Sequence, residues 1–234
     1  MKELSPPNRT LMGPGPSDVH PRVLRAMSTP LVGHLDPSFV EIMDETQELL
    51  RYVFRTDNRW TIPISGTGSA AMEAAVGNLV EPGDTMLVPT NGYFGGRMAE
   101  MARRAGGSVV EVDAPWGEPL DPADVRAAFD EHQPDVFGFV HAETSTGVRQ
   151  PDVSELTEIA HSHDSYVVAD CVTSLGGVPL EGGRVERRRG VRRAPEVPLV
   201  PAGRVAAHPE RPRDGQGALP RDARAVVVPR PLAA

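Results

Sequence analysis

The chain has 234 residues, 39% of them hydrophobic, and a formal charge of −8, enough apolar material for one domain with a sizeable core. An acidic chain with no basic stretch in its first half is a poor partner for nucleic acid or an anionic membrane. A single cysteine excludes an internal disulfide and a cysteine-rich metal site. With no apolar run near the ~20 residues of a membrane span and a polar, proline-containing start unlike a signal peptide, the expectation is a cytoplasmic protein.

The chain opens on a polar N-terminal arm, 1–35. Asp36-Pro37 then places a capping carboxylate before a proline at the first helical position. Beyond it Phe39, Ile42/Met43, Thr46, Leu49/Leu50 and Val53 recur at helical spacing, which predicts one face of a packed helix. Residues 59–65 form a β-like run, followed by an Ala-rich helix over 68–80. Strands are predicted at 85–89, 108–112, 136–140 and 166–169, and helices at 94–105, 121–131 and 152–163, the last two opening on Asp. Such alternation implies an α/β domain over 36–181, a mainly parallel sheet with helices on both faces.

Composition breaks after Glu181. From Gly182 to Ala234 only ten residue types occur, with 12 Arg against 5 acids, and the preceding residues carry 12 basic and 27 acidic side chains. The tail 182–234 lacks the apolar content to offset its chain entropy and is expected to be disordered. It reads either as a basic, Pro-rich tail for an acidic partner or as GC-rich DNA translated out of frame.

Four strand ends carry unusual residues, where open α/β sheets bind ligands. At Ser65-Gly66-Thr67-Gly68-Ser69, small residues and a helix start suit a phosphate, with hydroxyls on Thr67 and Ser69. Gly66 to Ala71 also fits a G-x-G-x-x-A dinucleotide pattern, but the next strand ends Val88-Pro89-Thr90-Asn91 without the carboxylate that pattern needs. Asn91-Gly92-Tyr93-Phe94-Gly95 offers a ring either for stacking on a planar ligand or for the core. His141 to Gly147 forms a hydroxyl-rich loop, in which His141 and Glu143 lack further ligands at metal spacing. Asp170 closes an apolar strand, a costly place for a carboxylate unless it is paired or used, for example to hold a protonated pyridine nitrogen.

In these motifs the sequence resembles the class V, fold-type I aminotransferases, near the alanine–glyoxylate and serine–pyruvate branch. The resemblance runs from about Leu11 to Leu180. It includes Gly13-Pro14-Gly15-Pro16-Ser17, Ser65-Gly66-Thr67-Gly68, Glu81-Pro82-Gly83-Asp84, Glu143-Thr144-Ser145-Thr146-Gly147 and Asp170 with Ser174-Leu175-Gly176-Gly177. It implies pyridoxal 5'-phosphate as cofactor, an amino acid and a 2-oxo acid as substrates, and a homodimer. Thr67, Gly68 and Ser69 would hold the phosphate, although many relatives have His where Ser69 stands. Phe94, where relatives often have Trp, and Val172 would sandwich the ring, Ser145 would bond its hydroxyl region, and Asp170 its nitrogen. Gly13 and Gly15 would lie near the substrate. The family's Schiff-base lysine follows the aspartate in a Gln-Lys context. This chain has only Lys2, far from that motif, so no catalytic lysine is identified.

The tail permits that motif in another frame. Pro195 through Gly203 can be encoded CCA GAA GTG CCT CTC GTG CCC GCC GGC, which one base later reads Gln-Lys-Cys-Leu-Ser-Cys-Pro-Pro. Gly182 to Val185 permits Val-Asp-Glu-Trp, and Ala225 to Leu232 permits Gln-Ser-Trp-Tyr-Leu-Asp-Leu, both family phrases, in the same frame. The expectation is a transaminase fragment, inactive by itself, truncated by a single-base insertion near codons 181–182. The alternatives are a lysine-free pseudoenzyme that binds pyridoxal phosphate without catalysis and a dinucleotide-dependent oxidoreductase.

Overall fold

The computed structural model describes residues 3–58, 60–180, 199–201, 205–207 and 225–227. The arm contains one short helix, α1 (Pro21–Met27), which the sequence reading missed; seven residues are too few for a readable period. Every described residue from 3 through 38 is exposed. Helix α2 (Pro37–Phe54) starts as expected, with Asp36 Oδ1 accepting from Ser38 N at 2.8 Å. Of its predicted face, Phe39, Met43 and Thr46 are half-buried and Leu50 is buried, while Ile42, Leu49 and Val53 are exposed; Phe54 is buried as well.

Next come β1 (Trp60–Ile62), α3 (Gly68–Leu79), β2 (Thr85–Thr90), α4 (Tyr93–Arg104), β3 (Ser108–Asp113), α5 (Pro122–His132) and β4 (Val136–Val140). A two-residue hairpin, β5 (Ala142–Glu143) with β6 (Val148–Arg149), precedes α6 (Val153–Ser162) and β7 (Tyr166–Cys171). The tail adds β8 (Leu199–Pro201), β9 (Val205–Ala207) and β10 (Ala225–Val227).

Five parallel strands form the main sheet in the order β3-β2-β4-β7-β8. The pleat sorts their side chains by period two. Met86, Val88, Val136 and Val168 join Met72, Val76 and Met98 of α3 and α4 on one side. Leu87, Phe137, Phe139, Val167 and Ala169 join Phe129, Leu156 and Ile159 of α5 and α6 on the other. The fold is thus the expected α/β layer structure with helices on both faces.

One expectation changes at the edges. Of the β-like run 59–65, residues 60–62 form strand β1, which pairs with β10 in a separate three-stranded sheet. Nine residues of the tail lie in strands β8, β9 and β10. They pair through backbone groups with open strand edges, β8 along β7 and β10 along β1. The other tail residues lie outside the described residues. Among the described residues no helix is long and apolar enough to cross a membrane.

Candidate active site

Strand β2 lies between β3 and β4, so the chain leaves β2 to one side through α4 and returns to the other through α5. The order reverses between β2 and β4, and a crevice at such a reversal, beyond the strand carboxyl ends, is the default ligand position of this architecture. The loops entering it are 91–95 after β2 and 141–147 after β4, two of the four expected in advance.

These loops are bonded to each other across the reversal. Phe94 N donates to Glu143 Oε2 at 3.0 Å, and Tyr93 N donates to Ser145 Oγ at 2.9 Å. Ser145 returns two bonds to Glu143 Oε1, from N at 3.1 Å and from Oγ at 2.7 Å. Glu143 is fully buried. Gly92 permits this approach: a Cβ there would stand 2.2 Å from Glu143 Cγ and 2.6 Å from its Cδ. Phe94 is half-buried, packs partly on the core and meets Tyr93 edge-to-face at 5.2 Å, so it serves core and crevice at once.

Asp170 is the next-to-last residue of β7, 3% exposed, with Val172 N donating to its Oδ1 at 2.9 Å. Burial pushes its carboxyl up to about 7; the Val172 N–H opposes this and the nearby Glu143 adds to it. Val172 is half-buried beside it. Behind Asp170, His141 N donates to the Asp170 carbonyl at 2.8 Å and His141 Nδ1 meets Ser174 Oγ at 2.9 Å. Burial, and then Arg149, holds the imidazole below its ordinary value. The Thr144 and Thr173 hydroxyls bond each other between the 141–147 loop and the turn after β7. Thr146 Oγ1 is buried with no hydrogen-bond partner among the described residues.

Helix α3 hands over to β2 through residues 80–84, so it runs back along the sheet and brings its N-terminus to the strand carboxyl edge. Thr67 sits at the cap position but its side chain caps nothing. No hydrogen bond from the hydroxyls of Thr67 or Ser69 forms among the described residues. At Gly66 an added Cβ would stand 2.7 Å from Ala70 Cβ, so the loop folds close over the first turn. First-turn N–H groups of Gly68 and Ser69 without a side-chain cap suit an anion.

The structure bonds the loop of Phe94 to that of Ser145 and Val172 to Asp170, while Thr67, Gly68 and Ser69 stand at the start of α3. It does not gather Gly13 and Gly15, which are exposed with nothing within 4 Å of an added Cβ. Sequence reasoning missed the role of Glu143, weighing it only as a metal ligand; the cost of burying a strand-end carboxylate, applied to Asp170, would have found it too. A further groove of about 940 Å³ lies between the end of α2 and residues 176–180.

Comparison with known proteins identifies the family of this fold. The family model "Aminotransferase class-V" matches residues 11–185. The alanine–glyoxylate aminotransferase of Drosophila melanogaster is 44% identical over 171 residues, covering 73% of this chain and 43% of that protein. The (S)-ureidoglycine–glyoxylate transaminase of Bacillus subtilis is 42% identical over 180 residues, covering 77% and 43%. Among solved structures, alanine–glyoxylate aminotransferase from Nostoc sp. superposes with a TM-score of 0.75 at 50% identity, over 77% of this chain and 48% of that one. The chain thus spans less than half the length of the relatives it matches. On these matches, the chain belongs to the class-V aminotransferase family.

Proposed function

We propose that this chain carries the cofactor-binding part of a transaminase that moves an amino group from alanine or serine to glyoxylate or pyruvate. Membership of the family implies pyridoxal phosphate as cofactor. When bound, that group supplies an electron-withdrawing ring that stabilises negative charge at the substrate carbon. The residues present fit it. The N–H groups and hydroxyls at Thr67, Gly68 and Ser69 would take the phosphate, and Phe94 and Val172 the two ring faces. Ser145 would take the ring hydroxyl region. Asp170 would hold a proton at the ring nitrogen, and its burial makes a cationic partner welcome.

The observation that carries this reading is a buried carboxylate at the end of β7 on the same sheet edge as an anion-ready helix start. The names of the relatives support glyoxylate as acceptor; ureidoglycine stands beside alanine as donor on the same ground. A homodimer in the cytoplasm belongs to the proposal as well. The apolar side chains of Leu4, Met12, Leu31 and Leu35 stand exposed on the arm, as a surface for a second copy requires. The place of Gly13 and Gly15 near the substrate rests on the family resemblance.

With Lys2 as its only lysine, the chain lacks the amine that transamination uses as nucleophile and base, and we take it to be inactive. The test is to remove one base near codons 181–182 and compare the two products. The restored product should transfer amino groups from alanine to glyoxylate, while the present chain should only retain pyridoxal phosphate in equilibrium dialysis. Turnover by the present chain, or none by a folded restored product, would overturn the reading. Binding without turnover by both would favour the pseudoenzyme.

A further inference from the structure

Resting on that cofactor reading, we propose that Glu143 is the positioning residue of the site: one carboxylate that sets the ring of Phe94 and the hydroxyl of Ser145 in register. Both of its oxygens are in use, on different loops. Oε2 takes Phe94 N–H at 3.0 Å, and Oε1 takes the Ser145 N–H and hydroxyl at 3.1 and 2.7 Å. Ser145 Oγ in turn accepts Tyr93 N–H at 2.9 Å, which closes a ring of contacts through Glu143, Phe94, Tyr93 and Ser145. Three donors satisfy a carboxylate that is only 1% exposed, and the start of α4 favours its charge.

How this protein caps its other helices gives the arrangement its meaning. Asp36, Asp121 and Asp152 each cap their own helix two residues on, at 2.8 Å. At α4 the cap position is Gly92, which has no side chain, and the carboxylate arrives instead from a residue 49 positions away. A local Ser or Asp would satisfy α4 equally well. Importing the cap fixes something a local cap does not, the placement of the 91–95 loop relative to the 141–147 loop. Each loop holds one proposed cofactor contact. Glu143 also lies near enough to Asp170 to disfavour its charged form, so the same carboxylate faces a third contact.

The test uses the full chain with Glu143→Ala, Glu143→Gln, Phe94→Ala, Ser145→Ala and their combinations. It reads amide hydrogen exchange together with pyridoxal phosphate binding by equilibrium dialysis. Glu143→Ala should speed exchange at Tyr93, Phe94 and Ser145 together, leave the amides within β4 and β7 protected, and weaken binding about tenfold or more. Glu143→Gln retains shape and one acceptor oxygen, so it should spare Ser145 and release Phe94. In the Phe94→Ala/Ser145→Ala background, Glu143→Ala should have no further effect on binding. Unchanged exchange at 94 and 145, or a binding loss that adds in full to that background, would overturn the proposal. If the wild-type chain binds no pyridoxal phosphate, the cofactor reading falls and this inference falls with it as a cofactor role. Exchange at 93, 94 and 145 then shows separately whether the clamp exists.

Discussion

Replacing Asp170 with Asn should make the cofactor-free chain more stable at neutral pH while weakening its hold on pyridoxal phosphate. Burial raises the Asp170 carboxyl from 3.8 to about 7, so the fold prefers the protonated form and the unfolded chain the ionised one. The sign follows from linkage: the contribution is fully present below 3.8, is lost as pH rises through about 7, and is flat beyond. Over that interval it amounts to about 4 kcal/mol at ~1.36 kcal/mol per pH unit, an order-of-magnitude figure. An Asn does not titrate, and its oxygen can still accept the Val172 N–H that now bonds Oδ1 at 2.9 Å. Urea denaturation of both proteins in steps from about pH 4 to about pH 8 isolates the effect, because other groups cancel in the difference. The stability of Asp170→Asn relative to wild type should climb across this range and level off near its top. A difference that stays flat with pH would refute the argument that Asp170 is an uncompensated buried acid.

Two further outcomes follow from packing. Gly92→Ala places a methyl group 2.2 Å from Glu143 Cγ, and φ at 173° means the cost is collision rather than backbone strain. It should lower stability by about 1–3 kcal/mol in urea denaturation and also weaken cofactor binding; wild-type behaviour in both would contradict the close approach. Phe137 is fully buried, with Phe129 at 5.5 Å and Phe139 at 5.4 Å. Phe137→Ala should therefore cost about 3–5 kcal/mol, enough to leave much of the chain unfolded at 37 °C, as circular dichroism would report.

Much of the domain was legible because its signals are local. Asp36, Asp121 and Asp152 announce helix starts through bonds only two residues long, and the structure forms all three. The strands β4 and β7 are marked by apolar runs that both faces of a parallel sheet require. The strand-end rule pointed to the loops of Phe94 and Ser145, which the structure bonds to each other. What stayed hidden depends on distant partners. Ile42 and Leu49 look like core by period, yet they are exposed while the adjacent Met43 and Leu50 are half-buried and buried, a choice of one residue that spacing alone does not make. The hairpin of β5 and β6 has two residues per strand, too few for any period. The tail strands form against edges of β7 and β1 that no composition argument foresees.

The contact between Phe94 and Glu143 also bears on when the site appears during folding. Its partners are 49 residues apart, and closing a loop of that length costs roughly 3.5 kcal/mol by the logarithmic rule. No short stretch of chain can recover that alone; β2 and β4 must first dock side by side through their own hydrophobic residues. A collapsed intermediate with α4 already helical would therefore still present its first-turn N–H groups to water. The crevice becomes a late product of folding, and ligand capture there would report a finished sheet rather than secondary structure alone.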